Sequence, residues 1–508
     1  MKLPSSALVT SAFLLLLAAS ARADLKLPAI FGDHMVLQRD AVVPVWGTAT
    51  PGEEVTVSIA GQTVTAKAGA DGKWSVKFAK LSAAGPHTLT VKGNNTVTFS
   101  DVLVGEVWLG SGQSNMAMQV SRAKDFEAEQ AAAKLPSIRM FTEASPNSPI
   151  AQFMGKGEWV VCSPETVGRF SATAYFFGRE LHKSLNVPVG LINSSVGGTP
   201  IESWIAPETQ RNSPALKDFF AAREQAEKAA KPVDPAQTKA KFEADLAKWQ
   251  EAAKKAKSEG KPAPKRPQDP AAIAGRKGDV GGLFNGKISP LIPYAIRGAL
   301  WYLGEANSTP EKAHFYEAQL RLLVTDWRKL WGYEFPFVWV QLPNFGGAGR
   351  NWPAVREAML KTLALPHTGM AITIDIGEEK DIHPKNKQDV GRRLAAWALG
   401  TVYGQKVATS GPLSTGHQVR GSEMVLSFKH TDGGLAAKGG ELKGFVVAGA
   451  DQQWKPATAR IEGDTVIVSS ADVKQPVAVR YAWENWPTCN LYNGAGLPAS
   501  PFRTDDWK

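Results

Sequence analysis

Four separated segments carry residue types that together perform acyl transfer. Gly112-Gln113-Ser114-Asn115-Met116 follows a strand-like run over 102–109 (VLVGEVWL) and sets one serine between a glycine and polar neighbours. A serine hydroxyl is a weak nucleophile at neutral pH, so Ser114 requires a base, a group that orients the base, and donors for the oxyanion formed on attack. Asp381-Ile382-His383-Pro384 supplies the first two: Asp381 can hold one ring nitrogen of His383 while the other takes the serine proton. Gly197-Gly198-Thr199 and Gly304-Glu305-Ala306-Asn307, each after another apolar run, offer oxyanion donors. The constellation is that of a serine esterase.

Each residue also has a plainer reading. Ser114 fits a helix N-cap, and Asp381 can cap the helix that follows, with Pro384 at its first position. Gly197-Gly198 fits a tight turn, and Asn307 an ordinary loop residue. Glu305 is either a second carboxylate supporting His383 or a buried structural acceptor, and Gln113 stands beside the serine as a supporting or substrate-binding amide. Met116 occupies the second glycine position of a G-x-S-x-G elbow, so that elbow is not indicated. Ser111 is the weaker serine. For the substrate, Trp204, Trp301, Trp352, Trp483 and Trp486 offer flat surfaces for sugar rings, although tryptophan commonly fills cores. Arg356 is either a partner for a substrate carboxylate or one half of an ion pair.

The elements that position these residues change along the chain. From 24 to 100, short alternating segments separated by Pro51-Gly52, Asp71-Gly72 and Asn94-Asn95 indicate a small β-sandwich. From 101 to 404, apolar runs at 102–109, 187–192, 298–303, 335–341 and 370–376 alternate with helical patterns at 172–185, 313–331, 355–365 and 388–403. That alternation implies a parallel sheet covered on both faces, with its site at the carboxyl ends of the strands. An Ala/Lys/Glu-rich tract over about 210–276 reads as a helical insertion ending in a Pro-rich segment, and 405–508 reads as a second β-rich domain.

At 508 residues the chain exceeds what one core sustains, so several domains are expected. Cys162 and Cys489 allow at most one disulfide. Lys2, the apolar stretch 7–19 and Ala21-Arg22-Ala23 fit a secretory signal over 1–23, which places the mature protein in the periplasm or outside the cell. No later stretch is apolar enough to span a bilayer. The formal charge of +10 falls to +8 without Lys2 and Arg22, and much of the rest lies in the Lys-rich tract, which weighs against a nucleic-acid partner.

The blocks GQSNM, GGTPIESW, WYLGEAN and DIHPKNKQDVGRRLA, with FGDHMVLQR at 31–39 and NLYNGAGLPASPFRTD at 490–505, resemble the sialate O-acetylesterase-like branch of the SGNH (GDSL-like) hydrolases across nearly the whole mature chain. The resemblance implies a flavodoxin-like three-layer α/β/α domain flanked by β-sandwich modules, removing O-acetyl groups from carbohydrates without metal or organic cofactor. It implies Ser114 as nucleophile and His383 as base, with the Ser114 amide, an amide of Gly197 or Gly198, and the Asn307 side chain as oxyanion hole. Two departures stand out. The acid normally three residues before the histidine is here Asp381, two before it, which leaves a Ser-His dyad or help from Glu305 open; and LGEAN replaces the QGESN of many relatives. Members of this branch act on sialic acids, xylan or xyloglucan side chains. The competing classes are a non-catalytic glycan-binding protein and a peptidase or thioesterase using the same groups.

Overall fold

A computed structural model of the chain describes residues 24–82, 84–229, 234–260, 263–264, 266–267 and 279–507. The expected leader and most of the Pro-rich segment lie outside the described residues. One strand, β1 (Thr96–Gly112), organises the molecule. Its first half pairs antiparallel with Ala84–Lys92 in the N-terminal β-sandwich. Its second half is the centre of a parallel sheet, paired on one side with β4 (Val189–Ser195) and on the other with β5 (Gly298–Tyr302). The chain therefore passes position 100 without a break, because the two domains share a strand.

The sheet continues through β6 (Phe337–Val340) and β7 (Thr368–Ala371) on one side, and through β2 (Ile138–Thr142) and antiparallel β3 (Trp159–Val161) on the other. Without the β2–β3 edge the order is β4-β1-β5-β6-β7, the flavodoxin-like order, with its switch point beside β1. The edge pair was not legible in the sequence: β3 has three residues, and Arg139 and Thr142 interrupt the apolar pattern of β2. Strands β4 to β7 begin within two residues of the apolar runs, whereas β1 begins earlier, at Thr96, because its first half belongs to the N-terminal sheet; buried β5 and β6 are continuous apolar segments, as a sheet covered on both faces requires.

Two helix pairs supply that cover. Ala299, Trp301 and Leu303 point into one core with α3 (Tyr316–Trp331) and α4 (Trp352–Thr362), while Leu300 and Tyr302 point into the other with α2 (Ala172–Leu185) and α5 (Lys387–Thr401). The period-two alternation of one strand thus feeds both layers. Helix α5 lies directly on α2 at Gly391, where a Cβ would stand 2.5 Å from the Phe176 Cβ. Asn386, whose side chain accepts from the Asp389 amide, caps α5. Pro384 is therefore not the first helical residue, and Asp381 is not the cap.

The buried carboxylate of Glu106 ties the layers at the amino end of the sheet, accepting from Arg39, from Arg297 Nε at 2.7 Å and from the Tyr403 hydroxyl at 2.9 Å. The inserted tract forms helices Lys217–Ala229 and Pro235–Ser258. Beyond α5, two four-stranded antiparallel sheets enclose a separate core that includes Met424, Val447, Val466 and Tyr481. Cys162 and Cys489 are both free thiols. No helix among the described residues is long and apolar enough to cross a membrane.

Candidate active site

The chemistry-bearing residues gather where β1, β4, β5 and β7 end. Gly112 closes β1 with φ +136°, a region that favours glycine, and a Cβ there would stand 2.2 Å from the Tyr302 carbonyl oxygen. That close approach lets the Gln113 amide donate to Tyr302 O at 3.0 Å and turns the chain into the four-residue helix α1 (Ser114–Ala117). Ser114 is its first residue, partly exposed, and it makes no cap.

His383 Nε2 lies 2.8 Å from Ser114 Oγ. Burial holds the imidazole below its ordinary range, and the nearby cations Arg122 and Lys387 act in the same direction against the opposing pull of Asp381. The ring is therefore neutral near pH 7 and able to accept the serine proton. Asp381 Oδ1 is 3.5 Å from His383 Nδ1 and also accepts from the His383 backbone amide at 2.9 Å. It stands on the correct side of the ring, farther than a good hydrogen bond, with its side chain 47% exposed.

Gly197 stands against the nucleophile: a Cβ there would be 3.3 Å from the Ser114 Cβ. Gly198 takes φ +76° with open space around it. Asn307 is fully buried, and its amide is held at both ends. Its Oδ1 accepts from the Ile201 amide at 2.9 Å, and its Nδ2 donates to Glu202 Oε2 at 2.9 Å. One Nδ2 proton is thereby used, and the other makes no hydrogen bond among the described residues. Glu202, itself 1% exposed and reached by Lys312 Nζ at 3.3 Å, was not singled out in the sequence, although a carboxylate within GGTPIESW, five residues after Gly197, was the available signal.

Glu305 takes the structural of its two readings. Its carboxylate accepts from Gln113 Nε2 and from Asn115 Nδ2, the latter at 2.6 Å, so both oxygens are engaged away from His383. Burial pushes its carboxyl up from the usual range, while Asn115 and Lys387 oppose that. Lys387, fully buried, donates to Asn115 Oδ1 at 2.7 Å and Pro384 O at 2.8 Å, and burial lowers its ammonium to about 7. Gln113 is buried and committed to Glu305, which removes it from the substrate-contacting candidates.

Two substrate-binding expectations are corrected by burial. Arg356 is fully buried and spends its donors on the carbonyls of Leu342, Pro343, Glu484 and Asn485, at 2.7 to 3.1 Å. It joins α4 to the C-terminal domain and presents nothing to a carboxylate in solution. Trp204 is fully buried, its Nε1 donating to Thr199 Oγ1 at 3.0 Å, and Trp301 and Trp352 are buried as well. Trp483 packs against Arg480 and Arg503, and Trp486 remains exposed. Ser111 is buried beneath the turn. Among the described residues, no group of three or more His, Cys, Asp or Glu could hold a metal ion.

A serine hydroxyl at hydrogen-bond distance from a neutral imidazole, and an amide fixed at both ends, are groups of the kind that acyl transfer uses. The family model described as "Carbohydrate esterase, sialic acid-specific acetylesterase" matches residues 104–232 and 286–399, which include Ser114, Gly197, Asn307 and His383. The chain belongs to this family of carbohydrate esterases. It is a carboxylic ester hydrolase. The esterase is 28% identical to the sialate O-acetylesterase of Mus musculus over 92% of each chain, and 27% identical to that of Homo sapiens over 92% of this chain and 90% of the relative. A crystal structure of a carbohydrate acetylesterase from Xanthomonas citri is 37% identical and superimposes with a TM-score of 0.81, covering 95% of the esterase and all of that chain. The flanking β domains therefore belong to an architecture that the esterase shares with a solved relative.

Proposed function

We propose that the protein is an exported serine esterase that removes O-acetyl groups from sugars, with sialic acids as its first substrate class. The observation that carries the mechanism is the 2.8 Å contact between His383 Nε2 and Ser114 Oγ. The family description and the names of the mammalian relatives support the acetylated sugar. Lys2, the apolar stretch 7–19 and Ala21-Arg22-Ala23 support export to the periplasm or beyond.

In this mechanism Ser114 Oγ attacks the acetyl carbonyl carbon as His383 Nε2 takes the hydroxyl proton. The carbonyl oxygen becomes an oxyanion that accepts from the Ser114 amide, an amide of the Gly197-Gly198 pair and the unused Nδ2 proton of Asn307. Collapse breaks the bond to the sugar oxygen, which leaves with the proton from His383, and Ser114 retains the acetyl group. Water then attacks the acetyl-enzyme with His383 again as base, and acetate leaves as the Ser114 hydroxyl is restored. Asp381 orients the ring across a 3.5 Å gap.

The test is acetate release by wild type and Ser114→Ala from 4-nitrophenyl acetate, O-acetylated sialic acid and acetylated xylo-oligosaccharides. Release that disappears in the variant supports the mechanism, and the ranking of wild-type rates assigns the sugar; equal release by both proteins overturns the nucleophile. N-terminal sequencing of the secreted protein reads the expected cleavage after Ala23.

A further inference from the structure

The residues on either side of the nucleophile and on either side of the base are held by one buried cluster. Gln113 and Asn115, which flank Ser114, both donate to Glu305. The carbonyls of Ile382 and Pro384, which flank His383, accept from Asn115 Nδ2 at 3.0 Å and from Lys387 Nζ at 2.8 Å. Asn115 joins the halves, because its Oδ1 also accepts from Lys387 at 2.7 Å. Asn115, Glu305 and Lys387 are each at most 3% exposed. Among the described residues, this cluster makes no hydrogen bond to the side chain of Ser114 or His383; it grips only their neighbours.

We propose that Lys387, Asn115 and Glu305 are positioning residues that hold the Ser114 turn and the His383 loop in register and so set the distance between nucleophile and base. The proposal rests on the serine-esterase reading of that pair. Asn115 cannot be turned over without setting its amide oxygen against the Glu305 carboxylate and the Ile382 carbonyl, both acceptors, so the cluster has one hydrogen-bonded arrangement around it. Two loops that follow different strands, 269 residues apart at Ser114 and His383, have no backbone hydrogen-bond ladder to fix their separation, and the cluster supplies that constraint through side chains. A neutral Lys387 serves as well as a charged one, since an amine keeps two hydrogens for its two acceptors.

Glu305→Gln distinguishes positioning from bulk stability. Its Oε1 can still accept from Asn115, and its amide can donate to Gln113 once that side chain turns its otherwise unpartnered Oε1 inward. The experiment measures kcat and KM for 4-nitrophenyl acetate in the full-length wild type, Lys387→Met, Asn115→Ala, Glu305→Ala, Glu305→Gln and Ser114→Ala, with circular dichroism confirming the fold of each. The expected result is a kcat lowered roughly 100-fold in Lys387→Met and Asn115→Ala with KM within about threefold, and Glu305→Gln at least tenfold faster than Glu305→Ala. Should Lys387→Met not fold, Asn115→Ala and the Glu305 pair carry the test. Folded Asn115→Ala with kcat within threefold of wild type, or equal rates in the two Glu305 variants, overturns the positioning role. Undiminished hydrolysis by Ser114→Ala would instead overturn the nucleophile assignment itself.

Discussion

Glu202 Oε2 accepts from Asn307 Nδ2 at 2.9 Å, and that bond, with the Ile201 amide on Asn307 Oδ1, decides which way the Asn307 amide faces. An oxyanion donor is effective in proportion to how firmly it is aimed before the reaction begins. Asn307→Ala is therefore expected to lower kcat by about 100- to 1,000-fold, or roughly 3 to 4 kcal/mol in the barrier. Glu202→Ala, which frees the amide without removing it, is expected to lower kcat by roughly 10- to 100-fold with little change in KM. Steady-state kinetics on 4-nitrophenyl acetate checks both, and unaltered turnover in Asn307→Ala would remove it from the oxyanion hole.

The pH profile follows from the imidazole. Burial holds His383 below the ordinary histidine range, so its imidazole is neutral at pH 7 and gains its proton only at more acid pH. kcat/KM is expected to be flat through neutrality and to fall with decreasing pH as His383 protonates. Asp381 raises the imidazole, whereas Arg122 and Lys387 lower it. Asp381→Asn should therefore move the acid limb to lower pH, and the 3.5 Å separation predicts a plateau loss under about tenfold. A limb that moves upward in Asp381→Asn, or a loss above a thousandfold, contradicts this arrangement.

Arg356 predicts a stability effect without a substrate effect. Arg356→Met leaves the carbonyls of Leu342, Pro343, Glu484 and Asn485 without their donor, the first two of them in buried residues. The expected cost is about 3 to 5 kcal/mol of folding stability, read by denaturant unfolding of the α/β domain. KM for acetylated sialic acid should stay within about threefold in protein that remains folded. A large rise in KM with normal stability would return Arg356 to the substrate.

The two adjacent glycines should separate cleanly. Gly197→Ala puts a Cβ 3.3 Å from the Ser114 Cβ and is expected to reduce kcat by roughly tenfold or more through displacement of the nucleophile. Gly198→Ala meets no atom within 4 Å, and its left-handed φ of +76° predicts mainly a stability loss of about 1 to 2 kcal/mol. Thermal melts alongside kinetics resolve the pair; the reverse pattern would move the close approach from Gly197 to Gly198.

The order of strand, loop and helix along the chain was sufficient to determine the α/β layer and the ends of strands at which Ser114, Gly197, Asn307 and His383 gather. Apolar periodicity is a local property, and a buried parallel strand such as Gly298–Tyr302 declares itself within five residues. Short edge strands did not, since Trp159–Val161 exists through its pairing with Ile138–Thr142. Nor did local pattern assign the charged residues. Arg356 and Lys387 look surface-compatible in sequence, Glu305 reads equally as a support for His383 or a buried acceptor, and only burial among their carbonyl and amide partners gives them structural work. The chain's own residue types determined which chemistry is available. The tertiary structure decided which carboxylate faces which partner, because a hydrogen bond is specified by distances of about 3 Å between groups that the sequence places hundreds of residues apart.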